Sequence, residues 1–358
     1  MSKKFLDQRT DIPFAELLLF GWMPSLLKKW VYRFRGYRIH PSAHLGFGSV
    51  IVGKRVEIGP EVKIGMLVMI IGRDIRIDAR VRIAKLSYLN TYSISIGEGT
   101  RIGNQVVIGG LQTPQSSFSM GRNGILMEWS FINTTLPVRI GDDVGIGGHC
   151  LFFTHGLWPN GFEGFPVNFG GIEIEDQAWL AWRISVLPGV KIGSKSIIST
   201  DACVVKDIPS MCLAGGVPAK VLRENGSYIA PVTPEANRAR LSTLVDDFCA
   251  WVTFHGGKVL TKEPNRVLLD GSGSQRLTLY LQFDESAAAE WRTYENETLL
   301  VSLIKLDDKT RSHLDANSIA WMDIASKERS LTGGAATQEF EEFIRRSGLR
   351  MLKYGRWN

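Results

Sequence analysis

A six-residue rhythm constrains this chain more than any other feature. Between Val138 and Arg223, Ile140, Ile146 and Phe152 stand six apart. After one interruption that begins at His155, Ile174, Leu180, Val186, Ile192, Ile198 and Val204 continue the period. Four residues after these positions comes a second, mostly small set: Val144, Cys150, Gly156, Ala178, Ile184, Val190, Ser196 and Ala202. An amphipathic helix repeats every 3.6 residues and a half-buried strand every 2, so neither accounts for a period of six. A chain that turns a corner every six residues does, which predicts a mainly β solenoid with three such segments per triangular coil.

The same register extends upstream. Ile39, Leu45 and Ile51 are followed by Ile58 and Ile64, with an ambiguous slip at Ile70 or Ile71. Ile77, Ile83 and Leu89 come next, then Ile96, Ile102 and Ile108. Apart from the slip at Ile70, every irregularity falls after a completed coil. The expectation is about seven coils with two long loops, residues 109–139 and 157–173, leaving from one corner. Long loops in a compact domain tend to carry function, and two from one corner can meet.

Four segments result: a helical cap (1–38), the solenoid (39–224), a linker (225–232) and an α+β accessory domain (233–358). Residues 13–35 are apolar and aromatic on one side, broken at Gly21 and Pro24, with Lys28, Lys29, Arg33 and Arg35 late. Such a segment can cover the open end of a solenoid or lie on a membrane surface, and the two roles are compatible. In the accessory domain, Thr233-Pro234 opens a helix. Strands are expected at 266–269, 277–283, 299–306 and 319–324, and a last helix at 337–346 ends at Gly348. No catalytic motif stands there, and His255 and His313 read as surface or packing residues.

The net charge of +6 points to an anionic partner: a phosphorylated ligand, nucleic acid or a membrane surface. No run of 18 apolar residues exists. The start, MSKKFLDQRTDIPF, places acids and a proline where a signal peptide needs its apolar core. The expected location is therefore cytoplasmic or membrane-peripheral. Cys150, Cys203, Cys212 and Cys249 follow no metal-ligand spacing and read as free thiols, with no metal expected.

The stretch from Val138 to Arg223 resembles the hexapeptide-repeat acyltransferases, and among them the galactoside, maltose and capsule-polysaccharide O-acetyltransferases. VRIGDDVGIGG, the Thr154-His155 pair, NGFEGFPV, EDQAWLAWRISVLPGVKIG and VVKDIP…AGGVPAKVLR carry the resemblance, over about a quarter of the chain. It implies a left-handed parallel β-helix, a homotrimer with sites between neighbouring subunits, and acetyl-CoA as donor. His155 matches the family histidine that deprotonates the acceptor hydroxyl. An imidazole titrates near neutral pH and can take that proton during attack on a thioester, while corner N–H groups can hold the oxyanion. A loop carbonyl, Glu163 or Glu128 could orient the ring. Coenzyme A carries over to Trp179, Ala181, Trp182, Thr200, Val205, Lys206, Lys220 and Arg223. No role is implied for nucleic acid.

For the acceptor, a saccharide or surface-glycan precursor that the basic N-terminal helix would suit if lipid-linked, the two loops supply aromatic rings and amides. Glu128, Asn133, Trp158, Asn160 and Glu163 are the candidate contacts. One departure matters. The family reads W-I-G-small where this chain reads Trp179-Leu180-Ala181-Trp182. Trp182 and Thr200, 18 residues apart, stack on successive coils. Trp182 can wall, shift or block the coenzyme path, so a non-catalytic scaffold is a second reading. A third is a zinc enzyme resembling γ-class carbonic anhydrases, with His149 and His155 as ligands.

Overall fold

In the computed structural model, which describes residues 13–156, 160–271, 275–284 and 297–353, the chain divides into two compact units, residues 1–229 and 230–358. The first is a solenoid of three parallel sheets. Each coil lays one short strand on each of three faces, called A, B and C in chain order. The first coil supplies Arg38–Ile39, His44–Leu45 and Val50–Val52, and the eighth supplies Lys191–Ile192, Ile197–Ile198 and Cys203–Val204. Leu213–Gly215 adds a further strand to face B, and Lys220–Arg223 folds back antiparallel on it.

The period of six follows from a two-residue strand plus its corner. On face B the first strand residue points out and the second in, as in Lys63–Ile64 and Arg82–Ile83. In-register stacking makes columns: Ile39, Ile58, Ile77, Ile96, Met120, Ile140, Ile174 and Ile192 follow one another coil by coil, all buried. Each such burial is worth ~1.5–3 kcal/mol.

Residues 109–139 are not a long loop. Ser117–Met120, Ile125–Leu126 and Phe131–Asn133 form a complete fifth coil, with Phe118, Met120, Leu126 and Ile132 buried. Phe118, one of the aromatic rings that stretch was expected to offer an acceptor, is therefore core, and the solenoid has eight coils where about seven were expected. Met120, Leu126 and Ile132 do stand six apart, but twelve residues separate Ile108 from Met120 and eight separate Ile132 from Ile140. Twelve is two periods, with Pro114 at the skipped position, so the extra coil keeps the phase of Ile108 and loses it only before Ile140. What remains of the first insertion is residues 110–116.

Two of the three corners are tight. Glu61, Arg80, Asn123, Asp143, Gln177 and Lys195 at the A–B corner take left-handed backbone, as do Leu67, Leu86, Gln105, Trp129, His149, Arg183 and Asp201 at the B–C corner. That conformation costs a non-glycine residue roughly 1–2 kcal/mol, and the ladders on either side impose it coil after coil. Among the described residues no non-glycine residue of the C–A corner is left-handed. Both insertions, residues 110–116 and 153–171, leave from this looser corner.

The first coil has no predecessor to bond, and polar side chains of the helix Ser25–Phe34 stand in for one. Lys28 is fully buried, its Nζ donating to Gly46 O (2.6 Å), Ser49 O (2.9 Å) and Ser49 Oγ (3.3 Å). Lys29 donates to Pro41 O, and Arg33 to Ile39 O. Ser25 Oγ accepts the Leu45 N–H, Tyr32 Oη accepts the Ile51 N–H, and Tyr37 Oη bonds both the N–H and C=O of Gly53. The apolar stripe that the sequence offered as a lid faces solvent instead: Leu26, Leu27, Trp30 and Phe34 are exposed.

The second unit opens on the helix Pro234–Phe254, where Thr233 Oγ1 accepts the Ala236 N–H. Leu241, Leu244, Val245, Phe248 and Val252 join one core with a seven-stranded mixed sheet and the helix Ala335–Ile344. The four expected strands lie at Arg266–Asp270, Arg276–Gln282, Glu297–Ser302 and Ala320–Asp323. The strand Lys258–Glu263 and the helix Asp308–Ala316 carry too few apolar residues to announce themselves. The helix is tied down by buried Arg311, which meets Asp323 at 2.8 Å and Glu328 at 2.9 Å.

Replacing Lys28 by Met keeps the stem's bulk and removes the three hydrogen bonds its ammonium donates, so the solenoid is expected to lose ~1–3 kcal/mol in urea titrations. Burial lowers the Lys28 ammonium from 10.5 to about 8. The unfolded chain then holds more protons than the folded one between those values, so stability contributed at this site grows as pH rises through that window. The gap between wild type and Lys28→Met should widen from pH 8 to 10.5 accordingly.

Candidate active site

His155 stands where the chain leaves the sixth coil at the C–A corner. The excursion begins and ends as an antiparallel pair, His155–Gly156 with Asn168–Phe169. The Phe169 ring stacks on the imidazole at 5.7 Å and 15°. On the other side His155 Nδ1 lies 3.2 Å from Oδ1 of Asn133, the last residue of the fifth coil's face-C strand. Asn133 is buried, and the same oxygen accepts the Thr135 N–H (3.1 Å) and the Thr154 hydroxyl (2.7 Å). A backbone N–H can only donate, so the Asn133 atom is the carbonyl oxygen and His155 Nδ1 must carry the proton. Nε2 is left with its lone pair: the tautomer a general base needs.

The orienting acceptor is thus Asn133 itself. Asn133 was expected to touch the acceptor, and Glu163, Glu128 or a loop carbonyl to orient the ring. Glu163 is instead bonded to Asn160 Nδ2 at 2.9 Å, and Asn160 Oδ1 caps the short turn Gly161–Glu163 by accepting the Phe162 N–H. Both side chains are exposed on the excursion, as are Phe162, Phe165, Val167 and Phe169. Trp158 lies outside the described residues.

Glu128 belongs to the B–C corner, at the far end of face C. From His149 to His155 is six residues, roughly 20 Å of extended chain. At that far corner Trp129, His149 and Trp182 form a ladder of rings on successive coils, 6.1 Å apart at each step. Trp182 lies back against Gly148 of the preceding coil: a Cβ there would come within 2.5 Å of its ring. Gly145 likewise makes room for Trp179 on face B. His149 and His155 therefore stand apart within one chain, and among the described residues no three His, Cys, Asp or Glu side chains converge as a metal site.

The residues carried over for coenzyme A fall into two groups. Ala181, Trp182 and Thr200 share the B–C corner, Trp179 lies on face B, and Lys220 and Arg223 edge that same face on the final strand. Val205 and Lys206 instead follow the eighth coil's face-C strand, on the His155 side, both exposed. Burial raises the Cys150 thiol beneath the B–C corner, which keeps it protonated.

No family profile matches the chain. Among curated proteins it is 33% identical over 118 residues to the galactoside O-acetyltransferase of Escherichia coli (strain K12), covering 30% of this chain and 55% of that enzyme. It is 30% identical over 122 residues to the galactoside O-acetyltransferase of Lactococcus lactis, covering 32% and 59%. Over this stretch the chain is similar to the galactoside O-acetyltransferases. The chain spans about half the length of the curated relatives it matches. A hexapeptide-repeat acetyltransferase of Vibrio cholerae, solved with acetyl coenzyme A, matches at 24% identity and a TM-score of 0.32, over 36% of this chain and 69% of that one.

Asn133→Ala removes the shared acceptor and is expected to release the imidazole from its single tautomer. Nitrogen NMR of labelled histidine reads this directly: wild-type His155 should show protonated Nδ1 and bare Nε2, and the variant a mixture. An unchanged spectrum in the variant rules Asn133 out as the orienting group.

Proposed function

We propose that this chain is an acetyl-CoA-dependent O-acetyltransferase acting on a hydroxyl of a saccharide or surface-glycan precursor, with His155 as general base. The carrying observation is the Nδ1–H of His155 held on buried Asn133, with no hydrogen bond to Nε2 among the described residues. In this reading Nε2 takes the acceptor's hydroxyl proton as the oxygen attacks the thioester carbonyl. The tetrahedral oxyanion rests on backbone N–H groups, and the imidazolium returns its proton to the departing coenzyme A sulfur. The galactoside O-acetyltransferases it resembles support the acyl chemistry and a sugar as acceptor.

The reading further takes the solenoid as left-handed and the assembly as a cytoplasmic homotrimer. Distance supports the trimer. His155 and the coenzyme column at Trp182 and Thr200 occupy different corners of face C, with at most roughly 20 Å of extended chain between those corners. A neighbouring copy can bring its B–C corner to the His155 of this one. The exposed apolar side chains of the excursion, Phe162, Phe165 and Val167, suit burial against such a neighbour. The packing of Trp182 against Gly148 favours a wall of the coenzyme path over a plug.

Thiol release from acetyl-CoA in the presence of saccharide acceptors should fall by ~10²–10⁴-fold in His155→Ala. Coenzyme A at about 100 times its Kd should stabilise wild type and His155→Ala alike, by ~2.7 kcal/mol in thermal denaturation. Wild-type turnover in the variant removes His155 as the base. No stabilisation by coenzyme A in either protein favours a scaffold with a closed groove.

A further inference from the structure

The cap has a face that the solenoid does not use. On the helix Ser25–Phe34 the residues turned to the first coil are Ser25, Lys28, Lys29 and Tyr32, spaced as one helical stripe. The opposite stripe is Leu26, Leu27, Trp30 and Phe34, and the preceding helical turns add Phe14, Leu18, Leu19 and Trp22. All eight are between 54% and 86% exposed. Trp30 and Phe34 stack on one another at 6.2 Å, in the open. An ordinary surface helix buries its apolar stripe and shows water its charges. This one does the reverse, because the first coil's unpaired backbone takes up its polar residues. An apolar surface of this extent marks a contact with something else.

We propose that this face docks on an anionic lipid bilayer, as an interfacial helix lying in the headgroup region. Charge decides the partner. Residues 1–38 hold eight Lys and Arg against three Asp and Glu. Of these cations Lys28, Lys29 and Arg33 are turned to the first coil, a helix diameter (~10 Å) behind the apolar face and so within about a Debye length of a bilayer it meets, and Arg35 is paired with Glu16. That combination suits an anionic interface and disfavours a second copy, which would bring two such positive segments together. Tryptophans at the edge of an apolar face favour the membrane–water boundary. Among the described residues no helix is long and apolar enough to cross a membrane, so the contact lies on the surface.

Docking through the cap has a geometric consequence. Coils stack away from the bilayer at ~4.8 Å each, and His155 leaves the sixth, so the base stands about 24 Å beyond the first coil. Together with the saccharide reading above, this selects a membrane-anchored glycan modified several sugars from its anchor. The docking itself does not depend on acyl transfer.

Flotation of the full chain with vesicles tests it, using phosphatidylcholine alone or mixed with phosphatidylglycerol. The wild type should float with the phosphatidylglycerol vesicles and less so as salt rises. The Leu26→Glu/Trp30→Glu double variant changes only exposed positions and should keep its far-UV circular dichroism, while its partitioning drops by about tenfold or more. Its thiol release from acetyl-CoA with a soluble saccharide should match wild type, which separates loss of docking from failure of the catalytic reading. Absence of wild-type flotation with either vesicle, or equal flotation of the variant, overturns the proposal. So does a lipid-free association into larger oligomers that the same variant abolishes, which would assign the face to a second copy.

Discussion

Each coil of the solenoid bonds only the coil before it and the coil after it, and most of what is distinctive about this chain follows from that constraint. The ladders on two faces leave no slack at the corners between them, so side chains as bulky as Trp129 and Arg183 are held in left-handed backbone at the B–C corner. Extra residues have one exit, the C–A corner, and His155 with Asn133 lies there. The same rule strands the backbone of the first coil, and Lys28, Lys29 and Arg33 answer it. Using cations as backbone caps is what turns the apolar stripe of the helix outward.

The two halves of the proposed site fall at opposite ends of face C. At one end a buried amide fixes the proton on Nδ1 of His155. At the other a ladder of rings lines the corner to which the coenzyme residues Ala181, Trp182 and Thr200 map. The two corners are separated by the width of face C, and Phe162, Phe165 and Val167 on the excursion are exposed. The proposed assembly between copies accounts for both.

Much of the solenoid was legible because its period depends on local geometry: two strand residues and a corner always make six. The fifth coil was hidden because register is kept by hydrogen bonding to neighbours, not by counting: Pro114 fills the skipped position after Ile108, and an eight-residue step breaks the phase between Ile132 and Ile140. That error carried into the site. With residues 109–139 read as a loop, Asn133 could only be an acceptor contact; as the end of a strand, it lies under His155. The burial of Lys28 was beyond sequence reasoning for a different reason. A cation inside a cap is stable only when specific carbonyls meet it, and Gly46 O and Ser49 O are brought there by the fold.

The central claim is that His155 of one copy works on coenzyme A held at the B–C corner of the next. Subunit mixing tests it most directly. His155→Ala removes the base, and Thr200→Trp, at an exposed position of the coenzyme column, fills the groove while leaving the base intact. Each variant alone should be inactive. Co-expressed in equal amounts and allowed to mix, about a quarter of the interfaces unite an intact histidine with an intact groove, and thiol release should return to that fraction of wild type. Co-assembled mixtures that stay as inactive as either parent would contradict a site shared between copies.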